Sequence, residues 1–144
     1  MKINIRSEVK KISEEIISIR RDIHKHPELG FEVHRTAELV SKHLNKLGFD
    51  VSTGIGKTGV IGDLIGNNDG PTIALRADMD ALPIQETSNL PYSSVNEGVM
   101  HACGHDGHTA MLLGAATVLK QFQDTLNGNV RFIFQPPEEG DGGA

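Results

Sequence analysis

The chain has 144 residues, 38% of them hydrophobic, and 16 glycines, a length and apolar content that suit one packed domain and argue against a disordered chain. Its formal net charge is −5, and basic residues gather only in the first segment, where Lys10, Lys11, Arg20, Arg21 and Lys25 alternate with Glu8, Glu14, Glu15 and Asp22. That pattern is a solvated helix face, and with 4% aromatic residues and no Trp it speaks against any nucleic-acid surface.

A single cysteine, Cys103, forbids an intrachain disulfide and suits a reducing compartment. The opening M-K-I-N-I-R-S-E-V-K-K lacks the apolar stretch of a signal peptide. No apolar run approaches the roughly 18 residues that a membrane span needs, so the expected setting is cytoplasmic.

From Glu8 to His26, Val9, Ile12, Ile16, Ile19 and Ile23 recur at spacings of three and four, which predicts an amphipathic helix ended by Pro27 and Gly30. A second stripe, Ala37, Val40, Leu44 and Leu47, runs to Gly48, a residue able to take the left-handed conformation common at helix ends. Short glycine-punctuated segments follow: strands are predicted over 49–53, 58–65 and 72–78, the last preceded by a turn at Asn67–Pro71. The stretch from Met79 to Met100, with Pro83 and Pro91, reads as an active-site loop. A helix is predicted from about Asp106 to Gln123, and its small residues Ala110, Gly114 and Ala115 should let it lie close on the sheet. The last strand, 128–134, is halted by Pro136-Pro137. This order predicts an α/β layer structure with crossover connections. The chain stops just after that strand, at E138-E-G-D-G-G-A144, and is expected to be the front part of something longer.

The stretch Met100–Ala110 holds His101, Cys103, His105, Asp106 and His108 within eight positions, all able to bind a transition metal or move a proton. On a helix Cys103 and His105 would diverge by about 200°, but a turn at Gly104 lets both face one ion. A thiolate with an imidazole suits zinc, and added carboxylates widen the choice to manganese, cobalt or nickel. The bland alternative is a buried cysteine beside a helix-capping histidine. Glu138 and Glu139 repel one another unless a cation, a proton or water intervenes. Because neighbouring side chains diverge, one can bind metal while the other takes a proton from an activated water and returns it to a leaving amine. The alternative is a solvated acidic loop.

Asp78, at the end of an apolar strand, is placed to accept the second ring N–H of a ligand histidine, whereas Asp80 reads as a loop cap. His101 and His108 are ligands by type, but His108 is expected to bond within the helix start. His24, His26, His34 and His43 are expected at the surface or in caps, with His26 in a stiffer loop. Asp78 and Asp80, Cys103 and His105, and Glu138 and Glu139 fall beyond the carboxyl ends of strands or at a helix start, where open α/β sheets bind ligands.

Four segments, R20-R-D-I-H-K-H-P-E-L-G-F-E32, L75-R-A-D-M-D-A-L-P-I84, H101-A-C-G-H-D-G-H-T-A-M-L-L-G114 and F134-Q-P-P-E-E-G140, together resemble the metal-dependent M20 amidohydrolases and peptidases, in the branch of N-acyl-amino-acid hydrolases. The resemblance implies a hydrolase that cleaves the amide bond of N-acyl amino acids or small peptides with two divalent ions, Zn, Mn, Co or Ni. It assigns Cys103, His105 and Glu139 as ligands, Glu138 as general acid/base and Asp78 as the carboxylate behind a ligand. Other branches carry a ligand histidine where Arg76 stands, which favours the cysteine-containing branch; Asp141 departs from the small residue expected there. Residues 1–144 would be the N-terminal portion of a catalytic domain. The implied fold is a partial three-layer α/β domain with a mixed, mostly parallel sheet flanked by helices, truncated before further histidine ligands downstream and before a smaller inserted lid and dimerisation domain that helps hold the substrate. The longer form would be a homodimer or homotetramer. Two alternatives stand beside this: a truncated, inactive chain that binds metal weakly, and a hydrolase with Cys103 as nucleophile and His105 or His101 as its base.

Overall fold

A computed structural model of the chain describes residues 4–137. α1 (Ile5–Lys25) forms on the predicted apolar stripe, and the Asn4 side chain caps it by accepting the Ser7 N–H at 3.3 Å. α2 (His34–Lys46) has no cap of its own, and the connection before it supplies one. The Glu28 carboxylate accepts the backbone N–H groups of Arg35 and Thr36 and the Thr36 hydroxyl, each at 2.8 Å. An anion at the positive end of the helix thereby satisfies two donors that α2 itself cannot. Gly48 ends α2 with φ +75°, the left-handed conformation predicted.

Four strands follow, β1 (Asp50–Ile55), β2 (Gly59–Ile65), β3 (Asn68–Asp78) and β4 (Asn127–Gln135), with α3 (His105–Lys120) and a short 3₁₀ turn at Gln123–Thr125 before β4. Their order in the sheet is β1-β2-β4-β3. The sheet is mixed, as expected, but it is not mostly parallel: β1–β2 and β2–β4 pair antiparallel, and only β3–β4 is parallel. The connections explain this. Between β1 and β2 lie only three residues, which permit nothing but a hairpin, whereas β3 reaches β4 through a loop and α3, a crossover long enough for parallel pairing. The turn expected at Asn67–Pro71 is instead the irregular start of β3, where the register with β4 slips between Asn68 and Thr72.

One face of the sheet makes the core. Val60 and Leu64 alternate along β2 and pair with Phe134 and Val130 of β4, while Gly62 pairs with Phe132. Leu44 of α2 and Leu113 and Ala116 of α3 close over them, with Phe49 set edge-on to Phe132 at 5.4 Å. Each large side chain fully buried here contributes about 1.5–3 kcal/mol. The opposite face carries the Asp63–Arg131 pair, joined by two 2.8 Å bonds.

α1 packs on α3. Gly114, expected to bring α3 close to the sheet, instead faces α1: a Cβ there would lie 3.3 Å from Cγ1 of Ile16. α3 is buried on nearly all sides because it lies between the sheet and another helix. What matters for chemistry is that parallel β3 and β4 run out at the same edge, with Asp78 in register with Gln135 and the first turn of α3 above them.

Candidate metal centre

Three elements deliver the polar groups. β3 ends at Asp78, and the chain continues through buried Met79 to Asp80. α3 starts at His105 after Gly104, whose φ of +88° makes the sharp turn that a residue with a side chain rarely adopts. The Thr109 hydroxyl donates to the Asp78 carbonyl at 2.9 Å and ties the helix to the strand.

Asp78, His105 and His108 each offer a ligand atom, and the three atoms lie within 4.8 Å of one another. His105 and His108 are three apart on α3, so they share a face, with ring centroids 5.3 Å apart. The carboxylate that meets His105 is Asp80: Nδ1 of His105 lies 3.0 Å from Oδ1 of Asp80 and 3.0 Å from its carbonyl oxygen. Both are acceptors, so Nδ1 carries the hydrogen and Nε2 keeps its lone pair for a metal. Burial pushes the Asp80 carboxyl up from its ordinary range, and His105 opposes that shift. Asp80 is therefore no simple loop cap.

Asp78 itself is buried. Among the described residues its Oδ1 has no hydrogen-bond partner, and its Oδ2 lies 3.6 Å from the Arg76 guanidinium, which also donates to Gln135 at 3.1 Å. A buried acceptor left unmatched costs about 1–3 kcal/mol. A divalent cation is the natural complement to that oxygen beside two imidazoles, so the residues present fit a metal. Cys103 stands at the edge of this group, half-buried, its Sγ directed at the Asp80 carbonyl at 3.8 Å. Cys103 and His105 thus converge on one residue across the Gly104 turn. Glu138 and Glu139 lie outside the described residues; β4 leads toward them from beside Asp78.

Burial, helped by His24, His105 and Arg20, pushes His101 down to about 4 against the pull of Asp106, which makes it a neutral imidazole at ordinary pH. His24 is not at the surface, as expected, but 4% exposed: its ring nitrogens meet Asp106 at 2.7 Å and Glu86 at 3.1 Å. His26 does act as a cap, donating to the Asp22 carbonyl at 2.9 Å, and His34 is exposed beside Glu32. His43 bridges α2 to Thr117 of α3 at 2.9 Å. Sequence reasoning thus set His108 aside and missed the roles of Asp80 and His24. For His108 the signal was its three-residue spacing from His105; for His24 nothing local marked it.

A sequence profile of peptidase family M20/M25/M40 matches residues 74–144. Thermostable carboxypeptidase 2 of Saccharolobus solfataricus is 52% identical over 140 residues, which are 96% of this chain and 35% of that protein. Hippurate hydrolase of Campylobacter jejuni is 52% identical over 141 residues, 98% of this chain and 36% of that protein. A crystal structure of a dinuclear metal-binding M20 peptidase from Bacillus subtilis superposes with a TM-score of 0.86 at 49% identity, covering 90% of this chain and 36% of that one. The chain therefore spans about a third of the length of the relatives it matches. With profile, relatives and fold in agreement, the chain belongs to peptidase family M20.

Proposed function

We propose that this chain forms part of a metal-dependent amidohydrolase that cleaves N-acyl amino acids or small peptides. The observation that carries the reading is His105: its Nδ1 is held on Asp80, and it offers a ligand atom within 4.8 Å of those of Asp78 and His108. That half-identical relatives include a carboxypeptidase and a hippurate hydrolase supports the substrate class.

The residues proposed to hold divalent metal are His105 with Cys103 and Glu139, and Asp78 and His108 as the further donors beside them. Zinc, manganese, cobalt and nickel all suit a set of one thiolate, two imidazoles and carboxylates. Bound metal would supply Lewis acidity to a water and to the scissile carbonyl. Asp80 holds the His105 tautomer, and Arg76 steadies Asp78 and Gln135 at the mouth of the strands. Glu138 takes a proton from the attacking water; as the water oxygen joins the acyl carbon and the C–N bond breaks, Glu138 gives that proton to the departing amine. The products are a carboxylate and a free amino acid.

None of the described helices is long and apolar enough to cross a membrane, which fits the cytoplasmic setting included in this reading. A homodimer or homotetramer is the assembly proposed for the longer form. Assays on N-acetyl and N-benzoyl amino acids, with metal analysis of the same protein, test the whole. Glu138→Ala is expected to lose at least about a hundredfold in turnover with its metal content retained. Turnover that survives Glu138→Ala overturns the role given to Glu138. Turnover that resists chelation but is destroyed by thiol alkylation identifies Cys103 as a nucleophile instead.

A further inference from the structure

The first turn of α3 does more than carry His105 and His108. Between them Asp106 points the other way, is fully buried, and receives two donors from α1 on one oxygen: Nδ1 of His24 and Nε of Arg20, each at 2.7 Å. The second ring nitrogen of His24 donates to Glu86, in the long loop after β3, at 3.1 Å. Glu86 in turn is held by the Ser88 hydroxyl and by the Ser94 N–H at 2.6 Å. Tyr92 of the same loop meets the His24 ring edge-on at 5.6 Å and lies under the guanidinium of Arg21 at 4.9 Å. One imidazole therefore joins three segments: the last turns of α1, the first turn of α3 and the loop.

We propose that His24 is a positioning residue for the metal centre, fixing through Asp106 the direction in which the first turn of α3 presents His105 and His108. The inference rests on reading the Asp78–His105–His108 group as a metal site. Its basis is helical geometry. Successive residues turn by about 100°, so a peg at Asp106 sets the azimuth of His105 one step back and of His108 two steps on. Apolar contacts along the rest of α1 and α3 can hold two helices together, but they are non-directional and do not fix that angle. A buried charged network contributes little stability beyond what apolar packing would give, so its presence at the end of the seam that carries the donors points to geometry.

The test uses cobalt(II) as probe, in the protein that carries this chain. His24→Ala is expected to raise the Co²⁺ dissociation constant about tenfold or more, as loss of outer partners of a metal ligand does, and to alter the visible ligand-field band. Leu64→Ala, which removes core volume in β2 away from α3's first turn, is the stability control and should leave both unchanged. If His24→Ala does not fold, His24→Gln carries the same test with the side-chain bulk kept. Unchanged affinity and spectrum in the His24 variant overturn the proposal, and so does an equal loss in Leu64→Ala. Failure of the unsubstituted protein to bind Co²⁺ overturns the metal reading itself and this inference with it.

Discussion

The seam between α1 and α3 has two ends built on opposite physics. At one end Ile5, Val9 and Ile12 of α1 face Met111, Gly114 and Val118 of α3 across an apolar groove of about 450 Å³, with Ile5 50% and Met111 63% exposed. At the other, Arg20 and His24 meet Asp106 and Glu86 in a buried network whose distances run from 2.7 to 3.1 Å. Apolar contacts depend on area and tolerate small shifts, whereas hydrogen-bonded charges in a dry setting lose most of their value when one partner goes. The same two helices should therefore yield gradually at one end and abruptly at the other.

The largest break is expected from Asp106→Ala. It strips His24 and Arg20 of their shared acceptor and leaves Glu86 as the one carboxylate that His24 meets among the described residues. Removing one partner of a buried charged pair costs about 3–5 kcal/mol, and Arg20, partly exposed, can recover some of that in water. A loss of about 3 kcal/mol in urea unfolding is the expected result. A loss under about 1 kcal/mol would place this end in the same class as the apolar one.

Glu86→Gln should cost less, about 2 kcal/mol, the scale of hydrogen bonds to a charged group. Its effect also carries a pH signature. Burial pushes the Glu86 carboxyl up, but the hydrogen bonds from Ser88, the Ser94 N–H and His24 outweigh it and hold the group at about 2, below its ordinary 4.5. A carboxyl lowered by folding stabilises the native state fully above its unfolded value and loses that contribution as pH falls toward the folded one. The gap in urea midpoint between the unsubstituted protein and Glu86→Gln should therefore be constant above about pH 4.5 and close as pH falls toward 2. A gap that widens on acidification would show that the carboxylate is not held by these donors.

This contrast also separates what the sequence revealed from what it hid. The three helices and four strands were legible because each repeats its apolar residues at its own period, as Ile12, Ile16, Ile19 and Ile23 do in α1. The sheet order was not, because nothing local says that β4 inserts between β2 and β3. Within the site, residue type and placement at a strand end or helix start singled out Asp78, Cys103 and His105, of which Asp78 and His105 come together with His108. The partner of His105 was not legible, because which of two aspartates two residues apart meets it is set by the way the chain turns after Met79. His24 was hidden because its partner Asp106 lies 82 residues away, and a histidine on a charged helix face looks like solvent. Caps at long range, such as Glu28 on α2, escape for the same reason.

The smallest effect is expected at the apolar end, from Gly114→Ala. Replacing glycine by alanine inside a helix is worth about 0.8–1 kcal/mol in favour of alanine. Against this, the added Cβ would lie 3.3 Å from Cγ1 and 3.4 Å from Cδ1 of Ile16, and 3.8 Å from Cδ1 of Ile12. The first two contacts are tight, but they fall on a side chain that is only partly buried and borders the open groove, so it can give way by a few tenths of an ångström. The crowding and the helix gain should nearly cancel, leaving stability within about 1 kcal/mol of the unsubstituted protein in urea unfolding. A loss above about 2 kcal/mol would mean that α1 and α3 interlock as rigidly here as at Asp106, and the distinction between a tolerant and an exacting end of the seam would fall.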